Sequence, residues 1–325
     1  MSDTQLSAQA PRPSFKISPG DFAREYGVLT IIVVLMIALA LISDSFLTAR
    51  NLLNIINQSA PLAIIACALT LVIIGGGFDL STGAIFGVAS VSAGWVAVQI
   101  DPYMAILVGP LVGLVLGAIN GCIITGFGVH SFLVTLATSL VYRGIAILIT
   151  GGALIPVRIE QFSWLGRGRI GMVHVAVFVL LIVMIIFMVL LNRTTFGRRV
   201  FAVGGNEEAA ILSGIRTNLI KIMTFTLSGM AAGLAGVIAV SRISMASPQA
   251  GTGMEFEAIA AVILGGTSIM GGAGAIWRSI AGVLLMALIG NGFNILNINP
   301  FFKDLTTGVI IVVAVALAAS GRKRR

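Results

Sequence analysis

Long apolar runs, separated by short polar or glycine-rich breaks, dominate the chain after about Tyr26. A membrane-crossing helix needs roughly 20 apolar residues. The runs divide into ten segments: 26–43, 54–75, 80–100, 103–126, 131–150, 172–191, 218–240, 257–270, 275–297 and 304–320. The eighth is short enough to be re-entrant. Because the runs are continuous and do not alternate, an outer-membrane barrel is excluded. The predicted fold class is all-α, a polytopic transmembrane helix bundle with one or more broken or re-entrant helices. A polar tail, 1–26, holds Pro11, Pro13 and Pro19 with Arg12, Lys16 and Arg24. It lacks the short apolar core and cleavage site of a signal peptide, so the first run is expected to stay as an anchor. The membrane domain is expected over 27–320, and a basic tail over 321–325.

Composition removes the soluble alternatives. Of 325 residues, 58% are hydrophobic and 10% charged, against about 25% charged in a soluble domain, so no large extramembrane catalytic domain fits. The net charge of +8 is read as the cytoplasmic excess of Lys and Arg in a multi-pass protein, with no nucleic-acid partner. With both termini cytoplasmic, thirteen basic residues fall inside, including Arg193, Arg198, Arg199, Arg216 and Lys221, and six outside, leaving Arg143 within a span. Cys67 and Cys122 lie in apolar runs and are expected to be buried small hydrophobes. His130 and His174 have no metal-ligand companions, so no metal site is expected.

Glycine spacing carries a packing signal. Gly109, Gly113, Gly117 and Gly121 recur every four residues, and Gly83 with Gly87 and Gly229 with Gly233 repeat the interval, the pattern that lets helix backbones approach closely in lipid. Two clusters instead interrupt apolar runs, Gly75-Gly76-Gly77 before Asp79-Leu80-Ser81-Thr82 and Gly265-Gly266 through Gly271-Gly272. Two readings stand: a tight turn with Asp79 and Ser81 as N-caps, or irregular backbone lining a transport route, which places Asp79, Ser81 and Thr82 on a substrate path. Neither cluster is a phosphate loop, since no Gly-Lys dipeptide occurs to reach a nucleotide's phosphates. Any nucleotide that powers the protein must bind another chain.

The intramembrane polar residues are few. Arg143 sits about twelve residues into its segment, where a charge costs roughly 2.5–3.5 kcal/mol. A carboxylate, helix-end carbonyls or water must offset that cost, and a structural anchor is the favoured role. Glu255 and Glu257 open the eighth segment, a favourable place for acids at a helix N-terminus. Asn291 and Asn294 share a face at i and i+3; interhelical hydrogen bonding is one reading and contact with sugar hydroxyls the other. The polar loop 192–217 ends in a short amphipathic helix. Asn206 is its expected cap, Glu207 and Glu208 form its first turn, Ala209, Ile211 and Leu212 follow, and Gly214 ends it. Such a helix is either merely a capped interfacial element or a surface gripped by another protein.

Five long motifs in order make a resemblance specific: GGGFDLSTGAIFG at 75–87, SFLVTLATSLVYRG at 131–144, FGRRVFAVGGNEEAAILSGI at 196–215, GTGMEFEAIAAVILGGTSIMGG at 251–272 and NGFNILNINPFFKDLTTGVII at 291–311. Over about 51–317 the chain resembles the membrane permease of sugar-type ABC importers, the ribose, xylose and galactoside permease family. It departs from the usual pattern at Phe78, Thr82, Ala84, Met254, Phe256 and Glu257. The resemblance implies a non-catalytic permease subunit of the bacterial inner membrane that imports a pentose, hexose, polyol or related small sugar. It implies a second permease subunit, a cytoplasmic ABC ATPase that uses ATP and Mg, and a periplasmic sugar-binding protein, with no cofactor on this chain. It makes Gly204, Gly205, Asn206, Glu207, Glu208, Ala209, Leu212 and Gly214 the coupling element that meets the ATPase. An ion-coupled secondary transporter is the alternative; it should offer a relay of intramembrane acids, and Asp79 alone makes a poor one. An intramembrane enzyme finds no converging catalytic groups.

Overall fold

The computed structural model describes residues 19–299, 302, 305–310 and 312. Within these residues the chain is helical apart from connectors and four two-residue strands. The helices are α1 (Pro19–Ile42), α2 (Ala49–Ile74), α3 (Thr82–Gln99), α4 (Pro102–Phe127), α5 (Ser131–Thr150), α6 (Glu160–Arg167), α7 (Val175–Arg193), α8 (Thr195–Gly205), α9 (Glu207–Leu212), α10 (Thr217–Ile243), α11 (Met254–Leu264) and α12 (Ile276–Ile295). Seven of them, α2, α3, α4, α5, α7, α10 and α12, are long and apolar enough to cross a membrane, and Gly27–Ile42 of α1 is a shorter apolar helix. The tenth expected segment is helical at 305–310. Apart from 312, the rest of 304–320 lies outside the described residues, as do Arg12, Lys16 and the tail 321–325. The eighth expected segment is short, as its sequence suggests. α11 has only 11 residues, because Gly265 and Gly266 end it, the latter at φ +84°.

The arrangement follows from a solvent that is itself apolar. α7 is the most apolar of the seven, yet only 39% of its most apolar 18 residues are buried, against 83% of those of α2. Apolar side chains face outward where lipid receives them, and the interior is selected for close fit. α4 and α10 form the tightest pair. A Cβ on Gly113 would overlap the Gly229 carbonyl, and one on Gly233 would overlap the Gly109 carbonyl. This is the packing that the spacing predicts. α4 turns its opposite face outward, so Cys122 is exposed, a correction to its expected burial, while Cys67 on α2 is buried. Gly83 and Gly87 of α3 are corrected as well: they make room for side chains from α11 and α5 and for the carbonyls of 248–251, and not for a second helix backbone. A Cβ on Gly83 would overlap the Glu255 carboxylate and the Gly251 carbonyl, and one on Gly87 would lie 3.0 Å from the Ala250 carbonyl.

The two ends of the bundle differ. At one end β1 (Ile155–Pro156) pairs with β4 (Met245–Ala246), and β2 (Arg169–Ile170) pairs with β3 (Val173–His174). Arg169 Nε donates to His174 Nε2 at 3.1 Å, which requires a neutral imidazole; burial first, then Arg169 and Arg242, lower the His174 pKa. At the other end α8 and α9 lie across the helix termini, and both glycine clusters meet there. Gly272 N donates to the Ile74 carbonyl at 2.8 Å. A Cβ on Gly204 would overlap that carbonyl and lie 2.9 Å from Gly272 N.

Candidate functional site

Backbone groups freed within the membrane must find partners in the protein, and two arginines supply them. Pro61 interrupts α2 and cannot donate to the carbonyl four residues back, that of Asn57. Arg242 Nη1 donates to Asn57 O at 3.1 Å and to Gln58 O at 3.2 Å. The non-helical stretch 247–253 exposes carbonyls in the same way, and Arg143 Nη1 donates to Pro248 O at 2.9 Å and Ala250 O at 2.8 Å. Of the partners open to it in the sequence, Arg143 therefore meets carbonyls, those of a non-helical stretch. The role of Arg242 is hidden in the sequence, although Pro61 inside a helix is the signal that some donor must come to its freed carbonyl.

The irregular stretch borders a cavity of about 460 Å³ enclosed by α2, α3, α10, α11 and α12. Gln58, Asn291, Asn294, Phe86, Phe293 and Glu257 are among its lining residues. Neutral amides set beside aromatic rings can hydrogen-bond hydroxyls while covering C–H faces. Asn291 also exchanges amide hydrogen bonds with Asn51, at 3.2 and 3.0 Å, which join α12 to α2. Asn294 is exposed on the same helix. Two of the departures from the family pattern, Met254 and Glu257, line this cavity.

Asp79, Ser81 and Thr82 are fully buried and do not line it. Asp79 Oδ1 accepts from Ser81 N at 3.0 Å and Ser81 Oγ at 2.6 Å, and its Oδ2 accepts from Ser228 Oγ at 2.7 Å. Asn120 Nδ2 donates to Ser81 Oγ at 2.7 Å, and the Tyr142 hydroxyl reaches Asn120 Oδ1 at 3.0 Å. Thr135 Oγ1 accepts from Leu80 N at 3.1 Å, and Ser131 Oγ accepts from Phe78 N at 3.0 Å. One polar knot thus ties the connector 75–81 to α3, α4, α5 and α10. Ser81 is the N-cap residue of α3 but makes no side-chain cap bond; its hydroxyl is committed to Asp79.

At the α8–α9 end, Asn206 caps α9 with Oδ1 accepting from Ala209 N at 3.0 Å, and Gly214 takes φ +77°. Ala210 is buried against the bundle, while Glu208, Ala209 and Leu212 face outward, Leu212 at 90% exposure. Glu207 pairs with Lys221 Nζ at 2.6 Å, a partner the sequence does not reveal. Among the described residues, no three His, Cys, Asp or Glu side chains come together as a metal site.

A multi-span helical bundle that holds a largely apolar cavity edged by amide side chains, and displays a short helix at one end, has the architecture of a membrane transport subunit. The chain belongs to the permease family described as "Branched-chain amino acid transport system / permease component", whose model matches residues 51–315. It is 41% identical over 287 residues to the ribose import permease protein RbsC of Bacillus subtilis, covering 87% of this chain and 89% of that one. It is 37% identical to RbsC of Escherichia coli K12, with 88% and 91% covered. It is 35% identical to the L-arabinose transport system permease protein AraH of the same strain, with 94% and 93% covered. No solved structure matches the chain.

Proposed function

We propose that this chain is the transmembrane permease subunit of an ATP-driven importer that carries a small sugar, in the range pentose, hexose or polyol, across the bacterial inner membrane. The observation that carries the reading is the likeness to ribose and arabinose permeases over nearly the full length of both chains. The cavity's amides Gln58, Asn291 and Asn294, beside Arg242, Glu257 and the ring of Phe293, offer hydrogen-bonding partners to the same substrate class. The chain performs no covalent chemistry: a separate ABC ATPase binds ATP and Mg, a second permease subunit completes the path, and a periplasmic binding protein delivers the sugar. α9, with the flanking residues from Gly204 to Gly214, is the element the ATPase moves, and rocking of the bundle alternates access to the cavity.

The path is proposed to run by Asn291 and Asn294. Asp79, Ser81 and Thr82 act on it through the fold, since burial keeps them from solute. Ten crossings are retained, the eighth being composite: the chain leaves β4 at one end, descends through 247–253 and α11, and reaches Gly272 beside Gly204 at the other.

Deletion of this chain in its host should abolish uptake of radiolabelled ribose or another pentose, hexose or polyol, and re-expression should restore it. Uptake that survives collapse of the ion gradients but stops on ATP depletion supports the reading. Restoration of leucine uptake with no effect on any sugar would overturn it, and gradient dependence would favour the secondary transporter.

Both termini and the α8–α9 end are proposed to be cytoplasmic, because Arg193, Arg198, Arg199 and Arg216 cluster there. A single cysteine at position 198, in a background lacking Cys67 and Cys122, should resist an impermeant thiol reagent on intact cells and react after permeabilisation. Ready labelling of intact cells would invert the topology.

A further inference from the structure

A second cavity, of about 470 Å³, opens at the α8–α9 end, separate from the one described above. Its walls come from the connector 75–77, the turn from α4 into α5, the first turns of α10 and Glu207 of α9. Glycine at 75–77 leaves the floor without side chains, and the Phe225 ring lies against it, 3.2 Å from where a Gly77 Cβ would stand.

The polar groups around this space are only partly committed. Glu207 Oε1 takes Lys221, which leaves Oε2 available. His130 Nδ1 accepts from Phe132 N at 3.3 Å, which leaves Nε2 facing solution from an exposed side chain. Ser131 Oγ accepts from Phe78 N, so its proton is available. Thr224 Oγ1 donates to Lys221 O at 2.8 Å, so its lone pairs are available. Asn218 is exposed and lines the space with both an amide donor and an acceptor.

Donors and acceptors are therefore interleaved around the space, and the one acid and one lysine on its wall cancel. An anion would meet Glu207; a cation would meet Lys221. A neutral polyhydroxylated solute fits, because every hydroxyl both donates and accepts. The volume falls within the range of roughly 300–1,000 Å³ that holds small organic ligands.

We propose that this cavity is a second solute site, on the α9 side of the membrane, for the sugar class the permease carries. This rests on the proposed function for the identity of the solute. A solute held there touches α9 through Glu207, α10 through Asn218 and Thr224, and the start of α5 through Ser131.

The test is protection of a cysteine in the purified, lipid-reconstituted chain lacking Cys67 and Cys122. Val129→Cys places a thiol on the cavity wall without removing a proposed polar contact, and Asn218→Cys gives a second reporter should the first fail to fold. D-ribose and L-arabinose, at concentrations filling nine-tenths of the sites, should slow labelling about tenfold by mass action. A cysteine at Arg198, exposed on α8 and outside the cavity wall, should react at an unchanged rate. Absence of protection at both cavity positions, in a chain that supports sugar uptake, would overturn the site and leave the transport reading intact. Protection by inorganic phosphate and not by either sugar would overturn the assigned ligand class. Protection by sugar in a system that transports none would uphold the site and sink the transport reading.

Discussion

Replacing Asp79 with alanine is expected to deplete the folded chain from the membrane, and not merely to slow transport by a protein that still folds. The carboxylate takes three hydrogen bonds from Ser81 and Ser228, and every member of the knot around it is buried. Removing it leaves the two serine hydroxyls without their acceptor, at about 1–3 kcal/mol for each buried group left unpaired. It also frees the connector 75–81 from α10. Asp79→Asn is the informative companion. Its Oδ1 can still accept from Ser81, and the Ser228 hydroxyl can turn to accept from the amide, so this variant should assemble with at most a modest loss. Membrane levels and elution of a single monodisperse species in detergent measure both variants, alongside sugar uptake. If Asp79→Ala assembles normally and only uptake fails, the carboxylate belongs to the path, as one reading of its sequence context has it. If Asp79→Asn assembles and transports, charge at this position is dispensable for both.

That outcome bears on what a sequence can disclose in such a protein. The long spans are legible because hydropathy is local: α2, α4, α5, α7, α10 and α12 each coincide with an uninterrupted apolar run. The α4–α10 contact is half legible, since small residues at four-residue spacing mark a close approach without naming its partner. The same spacing misleads at Gly83 and Gly87, where the neighbours are side chains and loop carbonyls and not a second helix backbone. α6 and α8 escape notice because each is short and mixed in polarity, held by its contacts with α7 and α10. The polar knot is not legible at all. Asp79 meets Ser228 across 149 positions, and no periodicity encodes a pairing of that range. The consequence for the site is specific: polar residues beside a glycine break look alike whether they face a solute or each other, and only the fold separates Asp79 from Asn294.

Exchanging the charges of Glu207 and Lys221 tests how movement of α9 would reach the bundle. The two side chains meet at 2.6 Å with roughly a third of their surface exposed, so the pair adds little to stability, on the order of 0.2–1 kcal/mol. Either single reversal should therefore leave the chain folded and in the membrane. Its geometric consequence is larger than its cost. Glu207→Lys sets two ammonium groups where one attracted pair had been, and Lys221→Glu does the same with two carboxylates; each should swing α9 off α10. Lys221 lies seven residues before Ser228 on α10, about 10 Å along the axis and on the same face. One strip of α10 thus carries both the contact with α9 and the contact with Asp79. A push on α9 would travel along that strip into the knot that fixes α3, α4 and α5. Uptake should fall sharply in each single variant, together with the stimulation of ATP hydrolysis by sugar-loaded binding protein, and should return in the double exchange. Glu208→Lys is the control for docking itself: Glu208 is exposed beside Leu212, and its reversal should weaken association with the ATPase without rescue by any change at Lys221. Full activity of both single variants would remove the ion pair from coupling. A double exchange as inactive as the singles would show that Glu207 acts on the ATPase directly and not through α10.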